Sequence, residues 1–190
     1  LFNSNLVTIQ QRWPTLAVKL AEIRDTNKLT IIPLSAQCQT LLVNERQLTS
    51  AYDRIKEAKV QCESIPLNAK QAFVYGTALG DIQHQLLQRP ELESLHVCIL
   101  NHNIFAAALS YQPQVWLQDP RVTLHDYSAL TEVYSPFVVS PPELELASPE
   151  AAKLRDRVLL ELDHDYVISM HSNTNDKVMQ AINSNYEIIS

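Results

Sequence analysis

The chain has 190 residues, 46% of them apolar and 19% charged, with a formal net charge of −6. That length suits one domain with a sizeable core, and the composition excludes a disordered chain. Apolar runs such as Ile104 to Leu109 fall far short of the roughly 18 residues of a membrane span, and no basic start followed by an apolar stretch marks a secretory signal.

Residues 1–95 carry 10 basic and 9 acidic side chains, whereas residues 96–190 carry 5 and 12. The acidic second half repels phosphate backbones, so nucleic acid is not an expected partner. Cys38, Cys62 and Cys98 form no CxxC pair, and an odd number cannot close a disulfide set. Each sits in an apolar stretch and is expected to be a buried small hydrophobe in a reducing, cytoplasmic setting. The chain begins at Leu1 rather than Met, as expected of a fragment of a longer protein.

Phe2, Leu6, Ile9, Trp13, Leu16, Leu20 and Ile23 step by three and four along one apolar stripe. Pro14 suits a first helical position and not a helix interior, so two helices with a break at Trp13–Pro14 are expected, packed on the domain rather than wound into a coiled coil. A β-hairpin follows, with strands near Leu29–Leu34 and Thr40–Val43. Ser50-Ala-Tyr-Asp53 has the spacing of a capping box and predicts a helix with Tyr52, Ile55, Ala58, Cys62 and Ile65 on its apolar face.

From Gln71 the pattern alternates strand and helix: strand Ala72–Tyr75, helix Asp81–Gln88, strand His96–Leu100, helix Asn103–Tyr111, then strands Arg121–Leu124 and Phe137–Val139. Ser135-Pro136 and Ser140-Pro141 read as loops. Ser148-Pro149-Glu150 opens a helix with Ala151, Leu154, Val158 and Leu162 inward. A last helix is expected after Asp165, with Val167, Met170, Thr174, Val178 and Ile182 on one side. The fold class expected is α/β: a Rossmann-like parallel sheet with helices on both faces, preceded by an N-terminal helical segment and a β-hairpin. Residues 1–67 form the helices, hairpin and linking helix, and residues 68–190 the Rossmann-like core with C-terminal helices, as one compact unit.

Both glycines of the chain lie in one loop, Gly76-Thr-Ala-Leu-Gly80, between a predicted strand and a predicted helix. They permit either close strand–helix packing alone or an inherited ligand pocket. A dinucleotide fingerprint would need glycine where Ala78 and Asp81 stand. The loop more closely resembles the first motif of S-adenosylmethionine-dependent methyltransferases, an acidic residue followed by three alternating glycines. Gly76 and Gly80 match it; Val74 replaces the acid and Ala78 the middle glycine. That family also holds ribose hydroxyls with a carboxylate ending the second strand, where this chain has Asn101. The resemblance implies a methyltransferase-like core with an eroded cofactor site, so no cofactor is expected.

His102 lies past the second strand without a visible catalytic partner, and Asp126 ends the third, either to reach a ligand or to cap a turn. Asp163-His164-Asp165 with His171 is not expected to bind metal, because the two histidines would lie about 10 Å apart on a helix while zinc ligand bonds are near 2 Å. No serine–histidine–acid set has recognisable spacing, and no catalytic residue is assigned. The site expectation is one shared pocket at the carboxyl edge of the sheet, lined by Gly76 to Gly80, Asn101, His102, His125 and Asp126, with Gly76, Gly80, Asn101 and Asp126 as the ligand-binding residues.

Four stretches resemble the N-terminal region of the motility-associated factor glycosyltransferases, bacterial proteins implicated in attaching nonulosonic acids to flagellin. They are Asn5 to Leu20 with its Arg-Trp-Pro turn, Ser50-Ala-Tyr-Asp53 leading to Lys56-Glu57-Ala58, the Tyr75–Gly80 loop, and Asp119-Pro-Arg-Val122; Asn185-Tyr-Glu-Ile188 resembles the lead-in to that family's central domain. The resemblance implies an accessory domain without catalytic residues. Its partners would be a following glycosyltransferase domain and a protein acceptor. A stand-alone methyltransferase-like enzyme and an oligomerisation module that forms homo-oligomers through the N-terminal stripe are the alternatives.

Overall fold

The computed structural model describes residues 1–23, 30–33 and 40–164. The chain enters through helices α1 (Phe2–Arg12) and α2 (Pro14–Ile23), broken at Trp13 as the proline requires. Phe2, Ile9, Leu16 and Leu20 of the apolar stripe are buried in the core of the domain.

A small antiparallel sheet follows, β1 (Ile31–Pro33) pairing with β2 (Leu41–Val43). It has a third strand that the apolar pattern did not show, β3 (Arg46–Gln47), joined to β2 through Asn44 and Glu45, both at positive φ. Two left-handed residues are what a tight hairpin turn needs. Leu29 and Leu34, the expected ends of the first strand, lie outside the described residues.

Helix α3 (Arg54–Gln61) starts later than the capping-box spacing predicts, which is a correction. Asp53 is the cap, its carboxylate accepting from the Lys56 amide at 2.8 Å, while the Ser50 hydroxyl accepts from the Tyr52 and Asp53 amides in the turn before. Tyr52 is consequently fully exposed rather than on an apolar face. Ala58, Cys62 and Ile65 are buried as expected, the last two beyond the end of the helix, whereas Ile55 is exposed.

The central sheet holds β4 (Gln71–Tyr75), β5 (Ser94–Ile99), β6 (Val122–Asp126) and β7 (Phe137–Val139) in the order β6-β5-β4-β7, every pair parallel. Helices α4 (Asp81–Leu87) and α5 (His102–Tyr111) make the crossovers. Alternation along the strands divides the core. Ala72, Val74, Leu95, Val97, Ile99, Val122, Leu124 and Val138 face α1, α2, α4 and α5. Phe73, Tyr75, Cys98 and Phe137 face Leu144, Leu154 and Val158 on the other side. Leu144 belongs to α6 (Pro141–Glu145), and the other two to α7 (152–164). This is a Rossmann-like α/β sheet with helices on both faces.

The loop expectation at Ser140-Pro141 is overturned by α6: Pro141 occupies the first helical position, where its missing amide hydrogen costs nothing. The helix expected after Asp165, His171 and the Asn185–Ile188 stretch lie outside the described residues, as does Cys38.

Buried polar side chains tie these layers together. Asn5 donates to the carbonyls of Leu109 and Gln112 and accepts from the Gln114 amide, closing the end of α5. Arg12, stacked on Trp13, donates to the carbonyls of Leu117, Asp119 and Val122. Arg121 is held by Asp119 and donates to the Leu87 and Leu92 carbonyls.

Candidate functional site

The carboxyl edge of the parallel sheet is where α/β folds gather ligands, and it begins with the loop after β4. Gly76 (φ 97°), Ala78 (φ 40°) and Gly80 (φ 90°) all take the left-handed region, separated by Thr77 and Leu79. This alternation turns successive amide hydrogens into the concavity of the loop, an arrangement that binds anions. The concavity is filled by the chain itself. Glu143 on α6 is completely buried, accepting from the Ala78 amide through Oε2 and from the Thr77 hydroxyl through Oε1 at 3.2 Å. A Cβ at position 76 would lie 2.6 Å from Glu143 Oε2 and 2.9 Å from Ser140 Cβ. Glycine is required there because the glutamate and α6 pack directly against the backbone. Burial raises the Glu143 carboxyl above its ordinary range, against the opposing pull of the Ala78 and Thr77 donors.

Gly80 has a different neighbour: an added Cβ would meet Gln114 Oε1 at 2.5 Å and Trp116 Nε1 at 2.6 Å. Asp81, the first residue of α4, is paired by two nitrogens of Arg54, at 2.9 and 2.8 Å. The pair joins the starts of α3 and α4 and lines a cleft of about 790 Å3 with Tyr52, Gly80, His84 and Trp116.

Asn101 and Asp126 stand at the same sheet edge but at another cleft, of about 680 Å3, lined by Lys19, Asn101, His102, Tyr127, Ser148 and Glu150. Asn101 is the cap of α5: its carbonyl accepts from the amides of Asn103 and Ile104, and its amide donates to the Leu146 carbonyl at 2.6 Å. Asp126 accepts from Lys19 Nζ at 2.6 Å and from the Ser128 amide, the turn-capping role. Burial works against ionisation of Asp126, but Lys19, the Ser128 amide and His102 outweigh it and hold the carboxyl below its usual range. His102 Nε2 lies 3.4 Å from Asp126, long for a hydrogen bond, and burial lowers its pKa.

The four expected site residues share the edge, and neither of these two clefts is lined by all of them. Gly76 packs under Glu143, Gly80 borders the first cleft, and Asn101 borders the second with Asp126 behind it. Sequence reading missed Glu143, although Ser140-Pro-Pro-Glu143 carries the same helix-start signature recognised at Ser148-Pro149-Glu150. His125, named with this edge, pairs instead with His96 across the opposite face of β5 and β6, their nitrogens 2.9 Å apart. Cys62 and Cys98 are buried; desolvation pushes the Cys62 thiol up to about 11 and Cys98 higher still. Among the described residues no three His, Cys, Asp or Glu side chains gather closely enough to hold a metal ion, and no helix is long and apolar enough to cross a membrane.

No protein-family model and no curated protein matches the chain. Two spermidine synthase structures are similar to it. One, in complex with the transition-state analogue AdoDATO, has a TM-score of 0.49 at 14% identity and covers 59% of this chain and 42% of its own. The other, from Thermotoga maritima, has the same score and identity and covers 64% of this chain and 48% of its own. The chain thus spans less than half the length of either structure.

Proposed function

We propose that this chain is an accessory Rossmann-like domain, a scaffold or recognition module without a catalytic centre, belonging to a glycosyltransferase-like protein of the motility-associated kind. The observation that carries the scaffold reading is the Glu143 carboxyl inside the glycine loop. A cofactor entering that loop must first expel a buried glutamate from donors that already satisfy it. The other groups a ligand would need are engaged as well: Asn101 caps α5 and Asp126 holds Lys19 and the following turn.

The motifs behind the family resemblance support the accessory reading through their contacts. Arg12 of the Arg-Trp-Pro turn bonds the carbonyls of Asp119 and Val122, at either end of Asp119-Pro-Arg-Val122. Arg54, directly after the Ser50–Asp53 stretch, pairs with Asp81 directly after Gly80. Motifs that meet in pairs and bond backbone are those of a framework. A downstream domain with a nucleotide-sugar loop in the parent polypeptide is the expected companion.

The alternative is a methyltransferase-like enzyme, favoured by the left-handed geometry retained at 76, 78 and 80. Calorimetry with S-adenosylmethionine separates the two. The scaffold reading expects a Kd weaker than roughly 100 μM, less than about 5.5 kcal/mol of binding. A low-micromolar Kd would establish the enzyme instead.

A further inference from the structure

Glu143 is more than an obstruction, because the loop around it is built as a receptor. Two left-handed residues flank Thr77, which is what aims the Thr77 and Ala78 amides at one point. The Thr77 hydroxyl adds a third donor. Ser140, 2% exposed, holds its buried hydroxyl beside the same carboxyl, a further donor within the enclosure. A Cβ added at Gly76 would lie 2.6 Å from Oε2, so the backbone packs directly against the flat carboxyl group.

We propose that the Gly76–Gly80 loop is a working carboxyl receptor, occupied in the native chain by the tethered Glu143 and able to take a free small monocarboxylate once that side chain is removed. The proposal rests on the scaffold reading and gives its reason: a tethered ligand acts at a high effective concentration, so dilute free ligands do not displace it. Removing the Glu143 side chain leaves buried amides without partners, a cost that any bound carboxylate relieves.

The test compares native protein, Glu143→Ala and Glu143→Gln by thermal melting at pH 6, in sodium acetate or sodium chloride at matched ionic strength. Glu143→Ala is expected to melt below the native protein in chloride and to recover by about 5 °C as acetate saturates, since a ligand binding only the folded state raises Tm by mass action. Native protein and Glu143→Gln, whose receptor is full, are expected to melt alike in both salts. If Glu143→Ala does not fold in chloride, refolding yield becomes the readout, and acetate should restore it. Equal behaviour of Glu143→Ala in acetate and chloride overturns the proposal, as does an equal acetate gain in all three proteins. Tight S-adenosylmethionine binding by native protein would defeat the scaffold reading itself. A failed rescue without such binding defeats only the receptor.

Discussion

At the scale of single residues, position 80 shows how completely the loop is determined. Its φ of 90° and the two side chains within 2.6 Å of a hypothetical Cβ leave no route for a branched side chain. Gly80→Val is expected to cost about 3 kcal/mol by strain and overpacking together, read as a lowered urea midpoint. The histidines give a pH signature. Burial lowers the pKa of His96 and His125, and each His125 proton is further opposed by His96. The unfolded chain therefore binds protons first, so their contribution is whole above about pH 6.5 and is lost as pH falls from there toward the lowered folded values. Asp119 and Asp126, held below the ordinary 3.8, lose theirs only further down. Glu143 has the opposite sign: its raised folded pKa makes its contribution present in acid and lost as pH rises through that value. Urea midpoints across pH 3–8 should show the histidine-linked fall beginning near pH 6.5. A flat profile between about pH 5 and 7 in Glu143→Gln, which removes the carboxyl of opposite sign, would contradict the neutral His96–His125 pair.

At the scale of elements, the N-terminal helices act as part of the core. Asn5→Ala would leave two carbonyls at the end of α5 and the Gln114 amide without their partner, at a cost of about 2 kcal/mol in a denaturant titration. Residues 1–67 and 68–190 are proposed to unfold in one transition, because Phe2, Ile9, Leu16 and Leu20 share a cluster with strands of the central sheet. Two separated transitions in calorimetry would show independent units. The strands and crossover helices were legible in the sequence because buried parallel strands are short continuous apolar runs bounded by punctuating residues. Other features were not. The two-residue strand β3 is too short and polar for any period, and Tyr52 matched a helical spacing in a turn that Ser50 and Asp53 had already organised. Helix α6 was hidden because two prolines were read as loop, although a proline at a first helical position is itself a start signal.

For the whole molecule, the sequence placed the glycine loop at the sheet edge but did not show what fills it. Gly76 and Gly80 lie between β4 and α4 at positive φ, where glycine fits without a Cβ penalty. The partner at Gly76 lies 67 residues away in Glu143, and only the β4–β7 pairing brings the two together. Asn101 read as a ligand residue for the same reason it is a good cap: a short amide at a helix start bonds either. One contact is therefore central to the loop, the Glu143 carboxyl on the Ala78 amide. The Ala78 amide resonance of isotope-labelled protein tests it directly. It should shift with pH as the buried carboxyl titrates, lose that dependence in Glu143→Gln, and stay essentially unmoved by S-adenosylmethionine at about 20 μM, where a low-micromolar cofactor site would be largely occupied. An Ala78 amide that ignores pH and Glu143→Gln but moves with S-adenosylmethionine would mean that the loop is open and the protein is an enzyme.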